Sequence, residues 1–101
     1  MRTVKVLTFP GCPNYLPTLD LVRNVARDLH VEVAVSEVLV LNPEDAADLR
    51  FLGSPTVQVD GSDIEPARRQ DAAYSMSCRL YGLSGVPPRE MIASALVEVT
   101  P

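Results

Sequence analysis

The sequence of 101 residues predicts one α/β domain whose elements follow in the order βαβαββα. Three observations predict this class: two β-branched runs separated by an amphipathic helix, an Asp-Gly turn between two later strands, and an apolar helical period near the end. The length is typical of a single domain, and 47% hydrophobic with 22% charged residues is typical of a folded globular protein.

The first strand and helix are predicted at the start of the chain. Residues 3–9 form a β-rich run that ends at Pro10 and Gly11, where the chain must turn. Apolar residues then recur at helical spacing and predict an amphipathic helix: Leu16, Leu19, Val22, Ala26 and Leu29. Pro17 falls at the start of this helix, where we expect a distorted opening turn.

Residues 31–41 predict the second strand. They are dense in β-branched residues and too apolar on both faces for an edge exposed to water, and the intervening helix favours parallel pairing with the first strand. Asn42 as N-cap and Pro43 at the first helical position, followed by two acidic residues, predict a short helix that runs to about Leu52.

The second half of the chain predicts a hairpin and a closing helix. Segments 56–59 and 62–65 alternate around the Asp-Gly dipeptide at 60–61, which is a strong hairpin signal. Residues 66–86 have no clean period. A pair of prolines then opens a final helix, whose apolar positions are Met91, Ile92, Ala95, Leu96 and Val99.

The charge balance and hydropathy exclude several function classes. Lys and Arg number 9 against 13 Asp and Glu, a formal net charge of −4, so the chain lacks the electrostatic footprint of a nucleic-acid binder. No stretch approaches the roughly 18 apolar residues of a membrane span. The chain begins directly with the alternating Val4, Val6 and Phe9, without a leader pattern. We therefore expect a cytoplasmic protein with no nucleic-acid or membrane partner.

Three blocks of sequence resemble a group of small single-domain thioredoxin-like proteins. They are Gly-Cys-Pro-Asn at 11–14, Phe-Leu-Gly-Ser-Pro-Thr at 51–56 and Ser-Cys-Arg-Leu-Tyr at 77–81. The element order also resembles that of the thioredoxin and glutaredoxin folds, and the group often carries a thioredoxin-like or alkylmercury-lyase label. The resemblance covers almost all of the chain. It implies a four-stranded mixed sheet of order 2-1-3-4 flanked by helices.

The resemblance also implies an active site. It places Cys12 at the active-site position after the first strand, and it implies a cis peptide bond before Pro55 in a loop that faces this cysteine. The substrate-binding residues that we predict are Pro13, Tyr15, Ser54, Pro55, Thr56 and Arg79. The chain departs from the usual Cys-x-x-Cys pattern, because Tyr15 stands three residues after Cys12.

Cys12 is the predicted nucleophile. A thiol at a helix N-terminus is favoured as the thiolate by the helix dipole and by free amide groups. A thiolate attacks disulfides, peroxides and soft metals, so this position indicates a reactive residue. The alternative is a buried cysteine that acts as a small apolar side chain.

Cys78 is the candidate resolving residue. If the third strand runs away from Cys12 and the hairpin returns the chain, residues 66–86 lie over or beside Cys12. Cys78 could then resolve a mixed disulfide formed at Cys12, whereas a distant Cys78 would leave Cys12 as a monothiol. The alternative for Cys78 is packing among its neighbours Tyr74, Met76 and Leu80.

Other polar residues carry weaker signals. The Tyr15 hydroxyl is either a donor to the thiolate or its adduct, or part of ordinary packing. His30 lies at the far end of the first helix, where we expect C-terminal capping. Four arginines form a local excess of positive charge: Arg68, Arg69, Arg79 and Arg89. They either bind the carboxylates of glutathione or form an ordinary positively charged surface in contact with solvent.

The leading prediction is a thiol-disulfide redox protein in which Cys12 attacks a disulfide or a glutathione adduct, and Cys78 or an external thiol resolves it. The substrate would be a thiol or disulfide, either glutathione or a partner protein. A second interpretation is soft-metal binding of mercury or copper(I) by two thiolates, or an activity related to the alkylmercury-lyase label. A third is a non-catalytic thioredoxin-fold binding module. We predict no resident cofactor or metal. An exposed edge at the second strand would favour pairing with another chain, so a homodimer is an open alternative to a monomer.

Overall fold

Four strands form one mixed sheet in the computed structural model, which describes residues 1–82 and 84–98. The strands are β1 (Arg2–Thr8), β2 (Val33–Leu39), β3 (Thr56–Val59) and β4 (Ser62–Asp63). The helices are α1 (Tyr15–Asp28), α2 (Pro43–Asp48) and α3 (Arg89–Val97), with a 3₁₀ turn at Pro66–Arg68. The predicted α/β class and the βαβαββα order of strands and α-helices are confirmed.

The sheet has the strand order β2-β1-β3-β4, as predicted. β1 pairs with β2 in parallel and with β3 in antiparallel register, and β3 pairs with β4 in antiparallel register. Leu7, near the end of β1, lies opposite Thr56, at the start of β3. The end of β1 and the beginning of β3 therefore meet at one end of the sheet.

Side-chain alternation along β1 supplies two apolar clusters, one on each face of the sheet. Val4 and Val6 pack in the larger cluster, which includes buried residues of α1 and α3. Leu7 points to the other face and packs with Phe51 and with Ala46 of α2. The helices thus cover both faces, with α1 and α3 on one and α2 on the other.

The predicted helical stripe of α1 is buried at its centre. Leu19, Val22 and Ala26 are buried, whereas Leu16 and Leu29 at the ends of the stripe are 62% and 38% exposed. Leu29 is already the C-cap, beyond the last helical turn.

The helix α2 ends at Asp48, earlier than the predicted end near Leu52. Arg50 has a positive φ of 57°, and the Phe51 N–H donates to the Ala46 carbonyl at 2.8 Å, which closes the helix.

β2 is an edge strand, but the expectation that water would not reach it is wrong. Leu39 at its end and Leu41 just beyond it are 55% and 61% exposed. The alternation of half-buried and exposed residues reflects burial of one face only.

The hairpin and the last helix follow the predictions closely. Asp60 and Gly61 have φ values of 50° and 86°, as a two-residue type I′ turn requires. β4 is shorter than predicted and ends at Asp63. The predicted apolar position Val99 lies outside the described residues. No helix in the described part of the chain is both long and apolar enough to cross a membrane.

Candidate active site around Cys12 and Cys78

Cys12 lies in the turn between β1 and α1. The turn passes through Gly11, whose φ of 84° suits a glycine, and Cys12 is a half-buried free thiol. It stands two residues before the N-cap Asn14, and its carbonyl accepts the Tyr15 N–H at 3.4 Å. Cys12 therefore lies at the mouth of the helix, as predicted, but outside the first helical turn.

The first turn of α1 has few free amide donors. The Thr18 N–H bonds to the Asn14 carbonyl at 3.2 Å, and Pro17 has no N–H.

The peptide bond between Ser54 and Pro55 is cis, which confirms the prediction for Pro55. Ser54 is fully buried and lies against the end of β1: its hydroxyl is 2.7 Å from that of Thr8 and accepts the Phe9 N–H at 3.4 Å. This loop is thus tied to the strand that leads into the Cys12 turn.

Cys78 lies beside the same loop. It forms an isolated parallel β-bridge with Ser54, in which the Ser54 N–H donates to the Ser77 carbonyl at 2.8 Å and the Arg79 N–H donates to the Ser54 carbonyl at 3.0 Å. The Cys78 side chain is an exposed free thiol, so a packing role among Tyr74, Met76 and Leu80 is wrong.

A second contact joins the chain after Cys78 to the Cys12 turn. The Asn14 side chain, two residues after Cys12, lies directly against Gly85, where an added β-carbon would overlap the amide. Ser77 and Arg79 are therefore bonded to Ser54, and Gly85 lies against the start of α1. The two cysteines belong to segments that meet at one end of the sheet.

The predicted substrate loop is covered by residues 77–81, which we call the Cys78 segment. Ser54, Pro55 and Thr56 are all buried, and the Tyr81 hydroxyl donates to the Pro55 carbonyl at 2.6 Å. The backbone N–H and carbonyl of Ser54 are both occupied by this segment. Pro13, by contrast, is exposed next to Cys12.

The guanidinium of Arg79 is buried and paired with carboxylates of the chain itself. Its side chain is 0% exposed and forms two hydrogen bonds with the carboxylate of Asp63, at 2.7 and 2.8 Å, and a third with Glu65 at 3.0 Å. Burial opposes the charge of Arg79, but the hydrogen bonds to Asp63 outweigh it and raise the pKa of the guanidinium above its ordinary value. The prediction that Arg79 binds substrate is therefore corrected to an internal ion pair.

The remaining arginines of the predicted basic excess are also paired. Their ion pairs join Arg68 to Asp71 at 3.0 Å, Arg69 to Glu98 at 2.8 Å and Arg89 to Asp28 at 2.9 Å. Each positive charge is balanced locally, so these residues do not combine into a free cationic site for glutathione.

Tyr15 and His30 have roles at the two ends of α1. The Tyr15 hydroxyl donates to Glu37 on β2, and desolvation together with this hydrogen bond raises the pKa of Tyr15 to about 12. Its ring packs against the core, which favours the packing interpretation over hydrogen bonding to the thiolate. His30 follows the C-cap with a φ of 53°, and its backbone takes part in capping the helix.

The acidic partners of Arg79 were not identified from the sequence. Asp63 and Glu65 are spaced two apart and so point to the same side of an extended chain, as do Arg79 and Tyr81. That shared period of two was the only available signal. It could not indicate which segments pair, because 16 residues separate Asp63 from Arg79.

Within residues 1–82 and 84–98, no three His, Cys, Asp or Glu side chains are grouped as metal ligands would be. The chain matches no protein-family model, no curated protein and no solved structure in the comparisons.

Proposed function

We propose that this chain is a thioredoxin-like thiol-disulfide redox protein that uses Cys12 as nucleophile and Cys78 as resolving thiol. The observation that carries the proposal is the meeting of two segments that each bear a free thiol. The Cys78 segment bridges Ser54, and Ser54 in turn contacts the end of β1 that leads into Cys12. The cis-proline loop between them supports the thioredoxin-like interpretation.

The proposed reaction proceeds in two exchange steps. The Cys12 thiolate attacks one sulfur of a substrate disulfide, a Cys12–substrate disulfide forms, and the other substrate sulfur leaves as a thiolate that takes a proton from water. The Cys78 thiolate then attacks the Cys12 sulfur and expels the second substrate thiolate, which is also protonated. The substrate gains two electrons and the protein gains a Cys12–Cys78 disulfide, which two external thiols such as glutathione reduce again.

The substrate in this proposal is a small disulfide, such as oxidised glutathione, or a disulfide of a partner protein. Two free cysteines in a small chain are typical of a reducing compartment, which supports a cytoplasmic location. If Cys78 does not resolve the adduct, external glutathione takes that role and Cys12 works as a monothiol.

The test uses two single variants and oxidised glutathione. The reduced protein, Cys78→Ser and Cys12→Ser are each incubated at pH 7, quenched with acid and weighed by mass spectrometry. We expect Cys78→Ser to accumulate one glutathionyl adduct on Cys12 and the unaltered chain to lose two hydrogens. We expect Cys12→Ser to react at least roughly tenfold more slowly, at the rate of an ordinary exposed thiol.

Equal rates in the three proteins would contradict a nucleophilic role for Cys12. Unfolding each protein in urea provides the matched control, because any rate advantage that depends on the helix and the turn must then disappear.

A further inference from the structure

The Cys78 segment alternates between solvent and interior. Cys78 and Leu80 are exposed, whereas Arg79 and Tyr81 are buried. In an extended chain successive side chains point to opposite sides, so the burial of Arg79 and Tyr81 turns Cys78 outward. Whatever holds Arg79 in the interior therefore also fixes the direction of the Cys78 thiol.

Acceptors at the end of the hairpin hold both terminal nitrogens of Arg79, whereas its buried Nε has no hydrogen-bond partner among the residues that the structure describes. Both terminal nitrogens bond to Asp63, one also to Glu65 and the other to Thr56 at 3.3 Å. The guanidinium carbon lies 4.5 Å from the centroid of the Tyr81 ring, within the range of a cation–π interaction. The planar, bidentate geometry fixes orientation as well as distance.

The fit between the Cys78 segment and the loop before β3 is close. Gly53 has a φ of 118°, and an added β-carbon there would lie 3.0 Å from the Arg79 β-carbon and 3.1 Å from the Ser77 carbonyl oxygen. A β-carbon at residue 53 would force these neighbouring atoms to shift by a few tenths of an ångström, and the positive φ also favours glycine there.

We propose that Arg79 is a positioning residue, whose buried ion cluster with Asp63 and Glu65 holds the Cys78 segment on the cis-proline loop and presents the Cys78 thiol for the second exchange step. This inference rests on the proposed function, because it gives Cys78 the resolving role. Arg79 itself touches neither the substrate nor the reacting sulfur atoms. It acts by restricting where Cys78 can be when the adduct on Cys12 forms.

The consequence is measurable as an equilibrium between protein and glutathione disulfides. A thiol held close to its target has a high effective concentration, and a displacement of about 1 Å can cost roughly 100-fold. Loss of the ion cluster should therefore lower the fraction of Cys12–Cys78 disulfide in a given glutathione buffer, while Cys12 alone still reacts with oxidised glutathione.

The experiment compares three proteins in buffers of reduced and oxidised glutathione at pH 7. The variant Arg79→Met leaves Asp63 without its partner, so the double variant Arg79→Met with Asp63→Leu replaces the ion pair by apolar groups and guards against simple unfolding. The matched control is Arg89→Met, which removes an exposed arginine paired with Asp28. Circular dichroism confirms that each protein is folded, and intact mass after acid quench gives the disulfide fraction.

We expect the equilibrium constant for the Cys12–Cys78 disulfide to fall roughly 10- to 100-fold in the double variant and less than about twofold in Arg89→Met. In a Cys78→Ser background, Arg79→Met with Asp63→Leu should leave the rate of Cys12 glutathionylation unchanged, which a general loss of structure would not do.

The outcomes separate the two proposals. Absence of a Cys12 adduct in the Cys78→Ser background would refute the proposed function itself. An adduct together with an unchanged equilibrium constant in the folded double variant would overturn the role of Arg79 alone. An adduct without any intramolecular disulfide in the unaltered chain would overturn both the resolving role of Cys78 and the role of Arg79, and would leave Cys12 as a monothiol.

Discussion

Two helices end on residues that are unusual for that position. His30 after α1 and Arg50 after α2 both have positive φ, 53° and 57°, where glycine is the common choice. At the end of α1, the Val31 N–H donates to the Ala26 carbonyl at 2.9 Å and the His30 N–H to the Arg27 carbonyl at 3.1 Å. These are the two hydrogen bonds of a Schellman motif, so the helix end is well formed although its key residue carries a β-carbon.

Replacing His30 by glycine should stabilise the protein. The left-handed conformation costs a non-glycine residue about 1–2 kcal/mol, part of which is offset by the greater entropy of glycine in the unfolded chain. We expect His30→Gly to raise the free energy of unfolding by roughly 0.5–1 kcal/mol, measured by urea titration. Arg23→Gly, on the exposed side of the same helix, should lower it by roughly 0.8 kcal/mol. A destabilised His30→Gly would contradict the assigned helix end.

Gly53 and Gly82 offer a second comparison at the scale of single residues. Both have positive φ, 118° and 73°, but only Gly53 faces the Cys78 segment closely, whereas nothing lies within 4 Å of a β-carbon at Gly82. We expect Gly53→Ala to destabilise the fold by roughly 2–4 kcal/mol, from backbone strain and overpacking, and Gly82→Ala by about 1 kcal/mol. If urea unfolding shows that the two variants lose the same free energy of unfolding, a close approach of the Cys78 segment to residue 53 is contradicted.

At the scale of elements, the sequence predicts regular structure better than its ends. β1, α1 and the hairpin follow from local periods and from the Asp-Gly turn. The end of α2 was missed because Arg50, and not a glycine, closes it. The exposure of β2 was not predicted. Its sequence is apolar on both faces, but such a pattern does not show how much of each face the rest of the chain covers.

The site was predictable to a similar degree. The position of Cys12 before α1 and the cis bond at Pro55 agree with what short motifs in the sequence led us to expect. The true role of Arg79 does not, because an isolated arginine is usually exposed and its partner Asp63 lies in another element. Segment 66–86 lacks a period because backbone bridges and ion pairs hold its described residues, and neither leaves a regular spacing in the sequence.

The ionisation of Tyr81, a residue of the Cys78 segment, makes the stability of the fold depend on pH in the alkaline range. Its burial raises the pKa of the hydroxyl above the usual value of 10.0, so the folded protein holds the phenolic proton more tightly than the unfolded chain does. This contribution to stability is complete below about pH 10 and is lost as the pH rises above it.

The matching measurement is urea unfolding between pH 8 and 11. We expect Tyr81→Phe to be less stable at pH 8, by about 1–3 kcal/mol, because the Pro55 carbonyl loses its hydrogen bond. Its stability should then fall less steeply above pH 10 than that of the unaltered protein. Parallel curves would indicate that Tyr81 ionises as freely in the folded protein as in the unfolded chain.

At the scale of the whole molecule, β2 is an edge strand, and its outer side pairs with no strand among residues 1–82 and 84–98. The exposed Leu39 and Leu41 lie at the end of this edge, and an exposed apolar edge strand favours pairing with a second chain. A homodimer of this kind would extend the sheet through β2 of each copy about a two-fold axis.

Sedimentation velocity over a range of concentrations tests this dimer. We expect the unaltered protein to associate, and the double variant Leu39→Lys with Leu41→Lys to weaken association by at least about tenfold through like-charge repulsion across the axis. Leu80→Lys, at a leucine that is 66% exposed in the Cys78 segment, should have no effect. A monomer at every concentration, or an equal effect of all variants, would contradict dimerisation through β2.

The central claim is that Cys12 and Cys78 form one redox pair, and peptide mapping of the oxidised protein tests it most directly. The reduced chain is treated with oxidised glutathione, blocked with iodoacetamide and digested with trypsin, which releases Cys12 in residues 6–23 and Cys78 in residues 70–79. We expect these two peptides to be joined by one disulfide, at their summed mass less two hydrogens. Separate peptides, each alkylated or carrying its own glutathionyl group, would contradict it.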